Sequence, residues 1–140
     1  MLFRIIAVGL LLVCGALLDG CATPEVDKAP IIAASAIVTQ SIVKPGGRTV
    51  LAVRVYDPGT KVSSVKAYLR EYPDFAVDLV DDGTRGDTVA NDGVWSREIE
   101  TDEAAADGVY NWDFQALNAT GAKVTSGDEP VATVGIMVTR

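Results

Sequence analysis

The chain has 140 residues with 19 acidic and 12 basic side chains, no histidine and two cysteines, for a formal net charge of −7. So acidic a chain is a poor partner for nucleic acid or an anionic lipid surface. The lack of histidine, with the cysteines at positions 14 and 21, removes Ser-His-Asp and Cys-His catalysis and any His- or Cys-ligated zinc or haem site from the body of the chain.

The chain opens with Arg4 and then an uncharged apolar run from Ile5 to Leu18. A run of that length suits the core of a signal peptide and falls short of the about 20 residues that span a bilayer. It stops at Leu18-Asp19-Gly20-Cys21. These four residues resemble the lipobox of bacterial lipoproteins, Leu-x-(Gly/Ala)-Cys, apart from Asp19, which stands where a small neutral residue is usual. The resemblance implies that residues 1–20 are removed, that Cys21 carries diacylglycerol and palmitate-type acyl chains, and that the protein is held on a membrane. Ala22 in place of an aspartate after the cysteine implies the outer membrane as the destination. An ordinary secretory signal cut at the small residues Gly20-Cys21-Ala22 is the alternative. With Cys14 gone, Cys21 is a single thiol and cannot form an internal disulfide. Several acyl chains anchor stably where one does not. Removing residues 1–20 deletes one base, Arg4, and one acid, Asp19, so the charge stays at −7.

Residues 21–30 (Cys-Ala-Thr-Pro-Glu-Val-Asp-Lys-Ala-Pro) read as a polar, proline-flanked tether. From Ile31 to Arg140 the pattern is short strands separated by turn residues. Ile31–Thr39 and Ser41–Lys44 precede the turn Pro45-Gly46-Gly47. Leu51, Val53 and Val55 alternate with Ala52, Arg54 and Tyr56, up to Asp57-Pro58-Gly59. Val65, Ala67 and Leu69 alternate with Lys66, Tyr68 and Arg70, and Tyr72-Pro73-Asp74 reads as the next turn. Phe75, Val77 and Leu79 enter an acidic loop; Trp95–Ile99 leaves it. Thr101–Asp107 is a polar connection too short for a stable helix. Tyr110, Trp112, Phe114 and Ala116 then form the strongest apolar stripe, and Val134, Ile136 and Val138 the last one.

About seven strands at this spacing predict an all-β, antiparallel sandwich, with Leu51, Val53, Val65, Trp112, Phe114 and Ile136 in one core. A small up-and-down barrel is the competing fold. The loop skeleton L-x-D-D-G-x-x-G-D-x-x-x-x-D-G-x-W, from Leu79 to Trp95, resembles a loop of immunoglobulin-like or fibronectin-III-like modules in secreted and surface-attached bacterial proteins. That resemblance speaks to fold and setting and names no activity. It also implies a tyrosine at the corner of the penultimate strand, for which Tyr110 is the candidate.

The loop holds the only concentrated chemistry. Asp81, Asp82, Asp87 and Asp92 supply carboxylates, and Asn91, Thr84 and Thr88 supply neutral oxygens, beside the single base Arg85. Calcium takes 6–8 hard oxygens in flexible geometry, so Asp81, Asp82, Asp87, Asn91 and Asp92 form a candidate calcium set, although the spacing is not that of an EF-hand. Two carboxylates about 5 Å apart repel by roughly 3 kcal/mol at an effective dielectric of 20, which favours a counter-charge. The competing reading is that these side chains accept backbone N–H groups and fix tight turns, in which case Asp→Asn changes are nearly neutral.

Tyr56 and Tyr68 alternate outward with Arg54, Lys66 and Arg70; they suit a sugar ring or ordinary cross-strand pairing on a solvated face. Asn118-Ala119-Thr120 matches a glycosylation sequon and also reads as a turn. The functional expectation is a non-catalytic, lipid-anchored envelope module that binds or supports an envelope protein, with a carbohydrate-binding lipoprotein as the alternative.

Overall fold

The structure, a computed structural model, describes residues 31–124 and 129–140. The expected signal peptide, Cys21 and the expected tether lie outside the described residues. The described chain is all-β: β1 (Ile31–Val38), β2 (Ile42–Val43), β3 (Arg48–Tyr56), β4 (Ser64–Leu69), β5 (Tyr72–Leu79), β6 (Val94–Glu100), β7 (Gly108–Leu117) and β8 (Ala132–Val138). They form two sheets, of order β1-β3-β6 and β2-β8-β7-β4-β5, packed as a sandwich. All pairings are antiparallel except the two-residue contact of β2 with β8.

The alternating apolar residues face one another between the sheets because a period of two puts them all on one side of each strand. Leu51, Val53, Val65 and Phe114 are fully buried, Ile136 is 1% exposed and Trp112 5%, so the six predicted core residues share one core. Tyr110 donates its hydroxyl to the Ala106 carbonyl at 3.0 Å, four residues upstream. This is the corner expected of a tyrosine at the start of the penultimate strand of an immunoglobulin-like sandwich.

The sandwich is closed differently on its two sides. On one side the chain passes from β1 in the first sheet to β2 in the second. Buried Thr49 secures the crossing: its hydroxyl donates to the Gln40 carbonyl at 2.9 Å and accepts the Gln40 N–H at 3.1 Å. On the other side lie the edge strands β5 and β6. They meet through a single reciprocal backbone pair, Val80 N–H to Ser96 carbonyl at 2.9 Å and Ser96 N–H to Val80 carbonyl at 2.8 Å.

One boundary differs from the sequence reading. Tyr72-Pro73-Asp74 is the start of β5, and the turn is Arg70-Glu71. In β5, Ala76 pairs with Tyr68 and Tyr72 with Leu69, so Pro73, Asp74 and Phe75 bulge from the ladder without partners in β4. The bulge interrupts the alternation of Phe75, Val77 and Leu79, and Phe75 is 53% exposed.

Across the outer face of the larger sheet, Arg70 grips Asp113 through two bonds, at 2.6 and 2.9 Å, and Thr133 donates its hydroxyl to the same carboxylate at 2.7 Å. The Arg70 bond, helped by Thr133, holds the Asp113 pKa below the usual carboxylate range. A depressed carboxylate pKa stabilises the fold above the unfolded value, and that stability is lost as pH falls through the folded one. Asp113→Asn is therefore expected to flatten the acid limb of the stability–pH curve below about pH 4, which urea unfolding at successive pH values checks. In the core, Trp112→Ala is expected to cost about 3–5 kcal/mol in the same assay at neutral pH.

Candidate functional site

The acidic loop leaves β5 at Val80 and returns at Val94, and it lies along the free edge of β6. Beyond the Val80–Ser96 pair, the Glu98 N–H donates to the Arg85 carbonyl at 2.6 Å. At its far end the Gly93 carbonyl accepts the Val55 N–H at 2.7 Å. The loop thus occupies edge groups that would otherwise be open to another strand. Two glycines make the approach possible. A Cβ on Gly86, at φ +99°, would stand 2.9 Å from the Glu98 nitrogen and 3.2 Å from both Val50 methyls; one on Gly93, at φ +80°, would stand 2.8 Å from the Val55 carbonyl oxygen. Only glycine has no side chain to place there and adopts positive φ at no steric cost.

The carboxylates hold the loop's own backbone. Asp81 accepts the Asp92 N–H on Oδ1 at 3.1 Å and the Gly93 N–H on Oδ2 at 3.0 Å. Asp87, 7% exposed, accepts the Gly83 N–H at 2.7 Å. Asp92 accepts the Val94 N–H at 2.8 Å. Asp82 takes both the N–H and the hydroxyl of Thr84, at 2.9 and 2.6 Å, and the hydroxyl bond is the main cause of its lowered pKa. Asn91 sits at φ 60°, a conformation asparagine tolerates, and its N–H donates to the Asp81 carbonyl at 3.1 Å.

Of the five candidate calcium ligands, the structure brings Asp81, Asp87 and Asp92 together, with one carboxylate oxygen from each within 4.8 Å of the others. Asp82 is not in that group of carboxylates. Every carboxylate of the set also accepts a backbone N–H, which is the arrangement expected of turn-fixing residues. Asn118 is another such residue: its Oδ1 accepts the N–H groups of Thr120 and Ala122 and the Thr120 hydroxyl.

A second feature lies at the opposite end of the sandwich and was not legible from the sequence. Where β5 and β6 diverge from the Val80–Ser96 pair, a cleft of about 1060 Å³ opens between the sheets. Tyr72, Phe75, Tyr110 and Trp112 contribute aromatic rings, and Leu69, Ile99, Ile136 and Val138 contribute aliphatic surface. Phe75 meets Trp112 edge-on, with ring centroids 5.9 Å apart and planes at 63°. The connection from Thr101 to Ala106 forms one rim. It is fixed by the Thr101 hydroxyl, which donates to the Lys44 carbonyl at 2.8 Å, and by the Asp102 carboxylate, which accepts the Ala104 N–H at 2.6 Å. The lining comes from five strands and a loop; the one local signal was the bulky pair Tyr72 and Pro73 inside the expected turn, directly followed by Phe75.

The two-donor geometry at Asp81 corrects the expectation that every Asp→Asn change in this loop is neutral. Asparagine offers one acceptor oxygen and would turn an NH₂ group toward the other N–H. Asp81→Asn is expected to lose about 1–3 kcal/mol of stability, whereas Asp82→Asn, which keeps both bonds on one oxygen, stays near wild type. Urea unfolding with a chelator present measures both. Repeating the melts across millimolar calcium separates the two readings of the trio. A 1:1 stabilisation removed by Asp87→Asn assigns an ion to it, and a flat melting temperature leaves the carboxylates as turn-fixing groups only.

No family model matches the chain, and no curated protein matches it in sequence. Among solved structures the chain is similar to a Niemann-Pick type C2 protein from the Japanese carpenter ant, at 12% identity and a TM-score of 0.43, over 81% of this chain and 95% of that one.

Proposed function

We propose that this protein is a lipid-anchored envelope lipoprotein whose sandwich works by binding and not by catalysis. The observation that carries the binding half is the aromatic cleft: concave, open to solvent and mostly apolar in its lining, it is suited to holding a ligand. The anchoring half rests on Leu18-Asp19-Gly20-Cys21 after the apolar run.

The two halves fit one geometry. Ile31, where the tether meets the domain, pairs with Tyr56 at the end of β3 that adjoins the Gly93 exit of the acidic loop. The other end of β3, Arg48, pairs with Glu100 at the cleft. A tether over residues 22–30 reaches at most about 32 Å when fully extended. With lipid on Cys21, the tether and acidic loop would face the bilayer and the cleft would face away from it, toward other envelope components.

The carbohydrate alternative is weaker in its original form. Tyr56 stands on β3 and Tyr68 on β4, in different sheets, so they do not make one stacking row. The rings that do converge are those of the cleft, and a glycan would have to be read there.

The test is Cys21→Ser in the native host. Wild type is expected to incorporate a palmitate analogue and to sediment with membranes. The variant should fail to label and accumulate as a slower-migrating precursor. A variant that still labels and stays membrane-bound removes the lipid-anchor reading.

A further inference from the structure

We propose that the cleft takes a small amphiphile with an apolar, ring- or chain-like body and a cationic head; this rests on the binding reading above and names the ligand class. The body is specified by the walls. Leu69, Trp112, Ile136 and Val138 form a dry floor, with Trp112 5% exposed and Ile136 1%. Tyr72 and Phe75 stand over it at 61% and 53% exposure. Exposed rings beside a buried apolar floor are the part of this surface that gains most from being covered, because the area removed from water sets the gain. The cleft is at the scale of small-molecule sites, about 300–1,000 Å³.

An extended peptide adding to the β5 edge is disfavoured by that edge itself. Pro73 has no N–H to donate, residues 73–75 bulge from the ladder, and Asp74 and Asp78 place charge along the strand.

The head is specified by charge. The lining contains three carboxylates, Glu100, Asp102 and Glu103, and no lysine or arginine. Glu100 is held by Arg48 at 2.9 Å, and Asp102 accepts the Ala104 N–H. Glu103 takes no hydrogen bond or ion pair among the described residues, so its charge is available to a ligand at the rim. Glu71 and Asp74 flank the neighbouring surface around Tyr72 and Phe75, Glu71 lying beside Arg70 and accepting the Asn111 backbone and side-chain N–H groups. The arginines beside the rim are already engaged, Arg48 with Glu100 at 2.9 Å and Arg140 with Asp107 at 3.0 Å and the Ala105 carbonyl at 3.2 Å, so an anionic head would meet Glu103 with no base in the lining to offset it. A cationic head would meet Glu103 and could lie against the ring faces of Tyr72 and Phe75.

The experiment uses the full lipidated protein, purified from membranes and placed in phosphatidylcholine vesicles, with protein-free vesicles as the blank. The probes share one body: 4-phenylbutyl-trimethylammonium, 4-phenylbutanol and 4-phenylbutyrate, each titrated calorimetrically. The ammonium probe is expected to bind saturably at one per chain, about tenfold or more tighter than the carboxylate, as one charge contact at a partly solvated rim allows. Glu103→Gln should weaken the ammonium severalfold and leave the alcohol unchanged. Phe75→Ala, a change at a half-exposed ring, should weaken all three. If the carboxylate binds as tightly as the ammonium, the cationic assignment is overturned while the binding reading stands. If no probe saturates, both fall. If Phe75→Ala changes nothing, the probes bind elsewhere and the proposal fails. If the protein self-associates with rising concentration and Phe75→Ala abolishes that, the cleft is a copy-to-copy interface and the proposal again fails.

Discussion

Two backbone hydrogen bonds, exchanged between Val80 and Ser96, join the two sheets on the side where the edge strands β5 and β6 meet. A two-sheet fold has two sides to close. Here one is closed by continuity from β1 to β2, and the domain sequence from Ile31 onward has no cysteine with which to clamp the other. The β5 and β6 edges would therefore both face solvent with unpaired N–H and C=O groups, a state that invites further strand pairing. The Val80–Ser96 pair joins them at one point, and both notable features follow from where it sits. The acidic loop, running on from Val80, covers the β6 edge at Glu98 through the Arg85 carbonyl, on the cleft side of that pair, and beyond it β5 and β6 diverge and leave the cleft.

The missing disulfide is compensated by volume. Trp112 and Phe114 from β7 fill the space between the sheets, against Leu51 and Val53 from β3 and Val65 from β4. Large rings remove more apolar area per residue than aliphatic side chains, which lets a domain of this size close a core without a covalent link. The same choice has a consequence at the sheet edge. A ring as large as Trp112 next to diverging strands needs cover, and Phe75 gives it only partly, from a bulge that leaves half of its own surface in water.

How far the sequence could be read depended on whether the signal was local. Alternation in Leu51–Val55 and Tyr110–Ala116 placed two central strands and the shared core, because period two leaves no other face for those side chains. The tyrosine corner was readable because Tyr110 needs only a carbonyl four residues away. The same rule failed in β5, where three residues bulge against none on the partner strand; a register shift of that kind is decided by β4 and β7 together and leaves no periodic trace. The acidic loop was recognisable as a cluster, but composition could not say which oxygens would converge. Asp81, Asp87 and Asp92 do, while Asp82, equally acidic and next in line, is taken up by Thr84. The cleft was least legible, since its walls are separated by up to about seventy positions in the chain, from Leu69 to Val138, and meet only after the sheets pack.

The excess negative charge is distributed in a way that separates the two ends. Along the sheets and at the C-terminal end, ion pairs join Arg48 with Glu98 and Glu100, Lys66 with Asp78, Arg70 with Asp113 and Arg140 with Asp107. Most of these pairs are exposed and each contributes little stability, but each offsets an acid locally. At the loop the surplus is absorbed internally, because Asp81, Asp82, Asp87 and Asp92 all have backbone N–H donors that the curled chain would otherwise leave unsatisfied. At the cleft rim Asp102 has such a donor and Glu100 has an arginine, but Glu103 has neither. Glu103, set beside half-exposed rings in a lining that holds no base, differs in this from the loop carboxylates. The loop's acids, like Asp102 and Glu100, are explained by the fold; Glu103 is the rim acid that the proposed ligand would use.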